Sequence, residues 1–567
     1  LCKTVMVWQQ CCKSRDRGKD VGDTKPMKLN ALMTTGLAAA LALTLAACGG
    51  SGDSAASDVP TLRRGISAKV DTLDPNKSSA QWENIIIGDM IIGLTTDGPD
   101  GRPVLGMADS YEVSEDGLVW TFTLGDHVWS DGTPVTAGDF VYSLRRIQNP
   151  ETASQYASLL WLIKNAQKVS SQELPPAELG VKAIDDKTLE ITLEYPAPYL
   201  LGLLSHYTTY PLPSWAIEAH GDAWIQPENI VVNGPYKLVY WRTGDQLVAD
   251  KNPTGFGAPE ACFDRVVYLE LEDLSAVENK ISAGELDINN AFDGSRYTEL
   301  DAKFPGWLRT TPSLISTYWT FNTTVEPFDD VRVRKALSMA LDREFMVRNV
   351  LTQGYLPAYS FVPPGINNYD VSRPSMDWKD TSREDRLAEA RSLLEAAGFG
   401  PGNPLEFEFI HRSTDDNPKV APVAQSNWSD IAPWVNPTIV KQDTKVLYSR
   451  LRTGNFSVAD AAWVADFDDP INFLYLLDSK TGQQNYGDYS NPEYDALLSQ
   501  SNQQLDLQMR AEVFAAAEEL MLEEYPITPM WFQVTKNMVD PELTGWEENA
   551  KDQHRSRFLC REGLSAE

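Results

Sequence analysis

The chain has 567 residues, of which 80 are acidic and 49 basic, so its formal net charge is −31. Such an acidic surface repels phosphate backbones and anionic lipid headgroups, which argues against a nucleic-acid-binding protein. The length exceeds what a single hydrophobic core usually supports and predicts two or three domains.

The first feature along the chain is an apolar run at 36–45, which follows Lys28 and leads into Leu-Ala-Ala-Cys at 45–48. A positive flank, a short apolar segment and small residues at a cleavage point are typical of a secretory signal. The cysteine at that point resembles a bacterial lipobox, which predicts lipid on Cys48. The alternatives are a signal peptide that merely contains cysteine, or a short anchor. A spanning helix would need about 20 apolar residues.

Met27 is a second start position, and residues 1–26 before it contain clustered cysteines. We therefore expect 1–47 to hold upstream residues and a signal peptide. Segment 48–60, rich in Gly, Ser, Ala and Asp, is expected to be a flexible tether. Segment 1–47 has seven basic and three acidic residues, a net of +4, so the rest of the chain carries −35.

Hydrophobic periodicity predicts both strands and helices along the body. Alternation at period two predicts strands at 119–124, 188–193, 266–271 and 456–463. Apolar residues on one face predict helices at 330–343, 384–397 and 505–524. Asp329 or Asp330 would cap the first helix, while Gly398 and Pro526 would end the other two. This mixture predicts an α/β or α+β fold.

Three cysteines remain from position 48 onward, namely Cys48, Cys262 and Cys560. If Cys48 carries lipid, the other two are left in an oxidising compartment. They would then form a disulfide or stay as two buried free thiols, and the residues alone leave both outcomes open.

No familiar catalytic or metal-binding motif occurs in the body. Its histidines are His127, His206, His220, His411 and His554. None has metal-ligand spacing to another His or Cys, and HExxH, GxSxG, CxxC and glycine-rich phosphate motifs are missing from 48 onward. We therefore predict no catalytic residue, no metal and no cofactor. A hydrolase that uses paired carboxylates remains an alternative, because acids are abundant.

One acidic residue has unusual surroundings. Asp466 lies among aromatic and small apolar residues in the segment 463–470, at the end of a predicted strand. A partly desolvated carboxylate there would favour a cation, and a ligand ammonium would supply a charge-assisted hydrogen bond. The alternatives are an internal salt bridge with an arginine and a helix N-cap.

Six motifs then appear in a familiar order. They are LDP at 73–75, WTFTL at 120–124 with VWSDGTPVTAGDF at 128–140, NGPY at 233–236, FN at 321–322 with PFDDVRVRKAL at 327–337, ARSLLEAAGF at 390–399, and NPEYD at 491–495. Together they cover most of the chain. On these motifs the body resembles the extracellular solute-binding proteins of ABC importers, in the large class that binds oligopeptides and dipeptides.

The resemblance implies a periplasmic-binding-protein type II fold with two lobes, three domains and a two-segment hinge near Ile315 and Trp531. Domain I would comprise 61–92, 214–314 and 532–567, with domain II at 93–213 and domain III at 315–531. Ligand would be trapped between the lobes by hinge closure. Both Cys262 and Cys560 would fall in domain I, which favours the disulfide.

The resemblance also implies the site. An extended peptide would pair its main chain with the protein like an added strand. Asp466 would bind the peptide amine. The other implied contacts are the pocket residue Trp463, backbone groups of Ala462 and Val464, the pocket residue Tyr156, and Ala80 and Gln81 in a first-domain loop. An ordinary core aromatic is the alternative for Tyr156.

Several positions depart from the enteric oligopeptide binders. In those proteins an arginine and a histidine meet the peptide carboxylate. The corresponding positions in this sequence hold Asp460 and Asn417. A site tyrosine falls near Asn290, a pocket tryptophan falls on Thr444, and the enteric disulfide cysteines fall on Ile315 and Val464. By these positions, Asn290 and Asn417 are predicted to contact the ligand. Arg412, Arg450 and Arg452 would be substitutes. We expect amine recognition to be retained and carboxylate recognition to be rebuilt or absent.

The function implied is a substrate-binding lipoprotein that captures oligopeptides and delivers them to a membrane permease and its ATPase. It would be a monomer, anchored by lipid in the periplasm, without enzymatic activity or cofactor. The alternative is the same scaffold with another solute, such as an oligosaccharide or an opine.

Overall fold

The computed structural model describes residues 59–369, 374–414 and 416–564. Cys48, the signal segment and nearly all of the tether lie outside the described residues. The described chain combines helices with three main sheets, so the expected mixed α/β class is confirmed.

The first sheet has seven strands drawn from distant parts of the chain. In spatial order they are Leu308–Arg309, Asn537–Val539, Ile288–Asn289, Thr61–Ile66, Arg265–Glu270, Gln246–Lys251 and Tyr236–Arg242. Thr61–Ile66 runs parallel to Arg265–Glu270. Leu62, Tyr236 and Tyr268 belong to its buried core.

The second sheet is antiparallel and has four strands. They are Ala108–Val113, Val119–Leu124, Thr188–Thr192 and Val181–Ala183. Alternate residues of Val119–Leu124 point inward, so Trp120 and Phe122 are buried. They form a core with Phe140 of the helix Ala137–Gln148.

The third sheet has six strands. In spatial order they are Leu356–Pro357, Ile527–Val534, Pro312–Phe321, Val458–Val464, Leu405–Arg412 and Val435–Gln442. Its core is aromatic, since the ring centroids of Trp319 and Phe409 lie 4.5 Å apart. Short two-stranded sheets pair Thr95–Asp97 with Pro103–Leu105 and Leu543–Thr544 with Cys560–Arg561.

The helices pack around these sheets. Those of nine residues or more are Gln81–Met90, Ala137–Gln148, Leu274–Ser282, Val331–Ala340, Arg383–Ala396, Asn417–Ser429, Thr444–Arg452, Pro492–Gln503 and Leu507–Glu524. Shorter α-helices are Ala166–Ser170, Leu200–Leu204, Ser214–His220, Tyr297–Lys303, Arg343–Phe345 and Ile471–Leu474.

Local signals set the ends of the predicted helices. Asp330 caps Val331–Ala340, because its carboxylate accepts the N–H of Arg332. That helix ends before the predicted Arg343, since Asp342 caps the next helix. Arg383–Ala396 is followed by Gly398, whose φ of +96° suits glycine. Leu507–Glu524 begins later than predicted, because Asp506 accepts the N–H of Met509.

The chain passes between the first and third sheets twice, through Thr311 and Thr535. These two crossings lie side by side, since the Thr535 N–H donates to the Thr311 carbonyl at 2.8 Å. The Thr311 N–H donates back to the Thr535 hydroxyl at 3.1 Å. The domain boundaries drawn from the sequence stay predictions.

Cys262 and Cys560 are joined by a disulfide across a sequence separation of 298. Such a link restricts the unfolded chain and so favours the folded state. Among the described residues, no helix is both long and apolar enough for a membrane span. In the same residues, no three His, Cys, Asp or Glu side chains cluster as metal ligands.

Candidate functional site

A cavity of about 580 Å³ opens beside the two chain crossings. Its wall contains the predicted residues Ala80, Gln81, Tyr156, Asn290, Val464 and Asp466. Segments 313–315, 534–536 and 550–553 complete much of the lining. Strand ends and connecting segments from the regions of all three sheets therefore meet at this cavity.

A second cavity of about 540 Å³ adjoins the first, because both are lined by Tyr156, Asp466 and Phe467. The wall of this aromatic chamber also includes Trp161, Tyr195, Tyr199 and Tyr475. The ring of Phe467 stacks on that of Tyr199 with centroids 4.8 Å apart. Asp466 therefore lies where a solvent-filled cleft meets an aromatic chamber.

Asp466 follows the strand Val458–Val464 and is exposed to the cleft. Among the described residues, no donor or cation contacts its carboxylate. Protein atoms still crowd it, so desolvation raises the pKa of Asp466 above the usual aspartate value. Its charge also helps to raise the pKa values of Tyr156 and Tyr475. The carboxylate is thus placed to receive a cation from outside the protein.

The two neighbouring acids take the structural roles that were the alternatives for Asp466. Asp469 accepts hydrogen bonds from Arg510 Nη1 at 2.6 Å and Nη2 at 2.8 Å. It also accepts the N–H of Ile471, where a short helix begins. Asp468 accepts the N–H of Asn367 at 2.7 Å, and burial raises its pKa to about 6. The salt bridge therefore belongs to Asp469, whose bond to the Ile471 N–H lies next to the N-cap residue Pro470.

The strand Val458–Val464 has one edge that is only partly covered. Ala465 N–H donates to the Leu314 carbonyl and Asn322 N–H to the Ser457 carbonyl, so alternate residues from 457 to 465 face the strand Pro312–Phe321. Ala462 and Val464 point their backbone groups the other way. Pairing on that side ends at Ala459. The backbone of Ala462 and Val464 thus forms a strand edge that no other described residue pairs with, a free strand edge, and Val464 is 60% exposed.

Trp463 and Tyr156 hold different positions. Trp463 does not line either cavity, but its indole N–H donates to Asn472 Oδ1 at 2.7 Å and its ring packs edge-on against Tyr475. It therefore supports two residues of the aromatic chamber.

Tyr156 is half-buried and lines both cavities, and its ring centroid lies 5.0 Å from that of His206. That position is a cavity wall and not an ordinary core site.

Asn290 lines the cleft, and its amide donates to Asn537 Oδ1 at 3.0 Å. Asn417 does not line it. Asn417 is instead the buried first residue of the helix Asn417–Ser429, and its Oδ1 has no partner among the described residues. Both were predicted to contact the ligand, but only Asn290 lies in the cavity wall.

The arginines considered as carboxylate ligands lie away from the cavity wall. Arg412 Nε donates to the buried Asp460 at 2.8 Å, so the acid at the enteric arginine position has its own arginine. Arg450 is engaged by Glu408 at 2.6 Å. Arg452 is exposed and lies 5.9 Å from the ring of Tyr448.

Three basic side chains of the cleft were missed by the sequence analysis, namely His206, Lys536 and Lys551. Lys551 forms an ion pair with Asp97, which also binds Arg555 at 2.6 Å, and these cations hold the pKa of Asp97 at about 2. Burial lowers the pKa of His206 to about 3. No motif contains these residues, and only the fold brings them together.

Comparisons with known proteins identify the family of this chain. The family model described as bacterial extracellular solute-binding proteins, family 5 Middle, matches residues 102–485. The periplasmic oligopeptide-binding protein OppA of Salmonella typhimurium is 36% identical over 494 residues, which cover 86% of this chain and 90% of the relative.

Two solved structures are informative about the cleft. The unliganded open form of the murein tripeptide-binding protein MppA is 34% identical with a TM-score of 0.83, and the match covers 89% of this chain and 98% of that one. The complex of Haemophilus influenzae OppA with the peptide RPPGFSPFR is 32% identical with a TM-score of 0.67, over 89% and 99% of the two chains. This chain thus matches an unliganded open form better than a peptide complex. From the family match and the extent of these identities, the chain belongs to family 5 of the bacterial extracellular solute-binding proteins.

Proposed function

We propose that this protein captures oligopeptides in the cleft beside Asp466 and delivers them to an ABC importer, as a binding protein and not an enzyme. The observation that carries the proposal is the carboxylate of Asp466, which faces the cleft without a cation among the described residues. Relatives of this chain are named for oligopeptide binding, which supports a peptide ammonium as the missing cation.

The free strand edge supplies the second contact. Main-chain groups of an extended peptide would pair with Ala462 and Val464, as in strand addition. Such bonds do not depend on the ligand side chains, so they give affinity without sequence selection. The aromatic chamber next to Asp466 is placed to receive a side chain close to the peptide amine. One site would therefore accept many peptides that share a free N-terminus.

Capture would be completed by closure of the cleft. The chain crosses between the first and third sheets only at Thr311 and Thr535 within the described residues. Two adjacent crossings can act as a hinge, since a few backbone angles there would move one lobe against the other. The open form is the one that would admit a ligand.

The partners follow from the same proposal. A periplasmic monomer, held to the membrane by lipid on Cys48, would pass its ligand to the permease and ATPase of an importer. The lipobox-like segment and the periplasmic relatives support this location. The strongly acidic charge makes nucleic acid an unfavourable partner.

Calorimetry with matched peptides tests the proposal. After unfolding and refolding to remove any bound ligand, the protein should bind tri- to pentapeptides with a free amine. N-acetylation should weaken binding by about 1.5–3 kcal/mol, because it removes a charged hydrogen bond to Asp466. The proposal is wrong if a mixed library of free-amine peptides gives no binding, or if acetylated and free peptides bind equally.

Peptide affinity should fall in acid. Because desolvation raises the pKa of Asp466, its carboxylate takes up a proton at a higher pH than the usual aspartate value of about 3.9. The ligand ammonium stays charged, so affinity should be constant near neutral pH and decrease as the pH falls through the raised pKa. Titrations from pH 8 to pH 4 measure this, with circular dichroism to verify folding.

The control for this pH effect is Asp466→Asn. This variant should bind peptide more weakly, and its affinity should no longer fall in acid. Asp468→Asn should keep it, although the pKa of Asp468 is also raised, to about 6. His206 stays neutral throughout the range, because its pKa is about 3. An acid-induced loss of equal size in Asp466→Asn would contradict the assignment.

A further inference from the structure

Lys536, like Asp466, is a charged residue of the cleft wall without an oppositely charged partner among the described residues. It follows the crossing residue Thr535 and lies in the wall of the same cavity as Asp466. Its ammonium donates to Gln353 Oε1 at 2.8 Å and lies 5.0 Å from the ring centroid of Tyr355. No carboxylate among the described residues lies within ion-pairing distance of it.

The acids nearest to Lys536 are occupied elsewhere. Asp416 pairs with Lys419 at 3.0 Å. Asp293 accepts the N–H of Ser295 at 3.0 Å and its hydroxyl at 2.6 Å. Burial lowers the pKa of Lys536. The two acids do not contact its ammonium and offset this lowering only in part. A half-buried ammonium in this setting is stabilised by any anion that enters the cleft.

Other basic residues of this region are already paired with protein acids. Lys551 in the cleft wall binds Asp97, Arg412 binds Asp460 and Arg450 binds Glu408. Lys536 therefore differs from these three in that its hydrogen-bond partner is a neutral amide.

Gln353 makes the site better suited to an anion. Its Oε1 accepts from Lys536, so the amide holds the ammonium in place without neutralising its charge. Gln353 does not line the cavity, whereas Lys536 does, so the ammonium is the group that would meet an oxygen of a carboxylate.

We propose that Lys536, held in place by Gln353, binds the C-terminal carboxylate of the peptide. This assignment rests on the proposed function, in which Asp466 binds the other end. Asp466 and Lys536 then form opposite charges on one cavity wall, and they select a zwitterionic main chain. Carboxylate recognition is thereby rebuilt on a residue outside the positions that the family resemblance indicated.

The test uses peptides of three, four and five residues, each made as a free acid and as a C-terminal amide. Calorimetry should show that the wild type binds at least one acid about tenfold or more tightly than its amide. Lys536→Met should reduce the affinity for that acid to the affinity for the amide, while binding of the amide stays unchanged. Lys536→Arg should keep a preference for the acid.

Lys445→Met is the matched control, because Lys445 is an exposed lysine that lies outside the cavity wall and is not one of the charges that act on Lys536. It should bind acids and amides as the wild type does. Thermal unfolding verifies that each variant is folded, and Lys536→Gln replaces Lys536→Met if the latter is not.

Two results would overturn the assignment. One is an equal loss for acids and amides in Lys536→Met, which indicates a structural role. The other is a wild type without preference for acids at any of the three lengths. If N-acetylation and Asp466→Asn still weaken binding in those cases, the carboxylate assignment alone fails. If they have no effect either, the proposed function fails with it.

Discussion

Replacing Asp466 with alanine is expected to weaken the binding of a free-amine tripeptide by about 2–5 kcal/mol. The variant would leave the ligand ammonium buried in the cleft without an opposite charge, and an unpaired buried charge has a cost of this size. Neighbouring acids cannot compensate, since Asp468 accepts a backbone N–H and Asp469 is held by Arg510. Calorimetry on wild type and variant measures the difference directly.

Two controls separate charge from shape in this experiment. Asp466→Asn keeps the size of the side chain, so a loss close to that of alanine attributes the effect to charge. Asp478→Asn changes another acid in the wall of the aromatic chamber, one whose carboxylate accepts the N–H of Lys480, and it should bind nearly as the wild type. Unchanged tripeptide affinity in Asp466→Ala would exclude Asp466 as the amine ligand.

Replacing Arg510 with methionine is expected to lower the free energy of unfolding by about 3–5 kcal/mol. The side chains of Arg510 and Asp469 are 1% and 0% exposed, so the variant would leave a buried carboxylate without its partner. The guanidinium also lies 4.4 Å from the ring centroid of Phe514. Urea unfolding followed by fluorescence measures the loss.

The double variant Arg510→Met, Asp469→Leu should recover much of this loss, because apolar residues can replace a buried ion pair at little cost. Lys280→Ala is the surface control, since Lys280 pairs with Glu285 in solvent and should change stability by about 0–1 kcal/mol. If Arg510→Met were no more destabilising than Lys280→Ala, this pair would not hold the structure.

The segment 465–469 shows which site features follow from local sequence and which depend on tertiary contacts. Sequence alone identified Asp466 as an acid at a strand end in apolar surroundings, and left three roles open for it. The structure assigns the salt bridge to Asp469, through an arginine 41 positions away. Which of several close acids meets a distant arginine depends on how helix and strand pack, and no local periodicity encodes that.

By itself the sequence determined the mixed α/β class, the strand Val119–Leu124, the caps Asp330 and Gly398, and the motifs that placed Asp466 in a solute-binding family. These features depend on side-chain alternation and on hydrogen bonds between near neighbours, which a short window of residues contains. Only the tertiary structure decided that Arg412 serves Asp460, that Asn417 lies off the cavity wall, and that Lys536 joins Asp466 in one cleft. Arg412 and Asp460 are 48 positions apart, and Asp466 and Lys536 share only a cavity wall, so these outcomes follow from the packing of separate segments and not from local pattern.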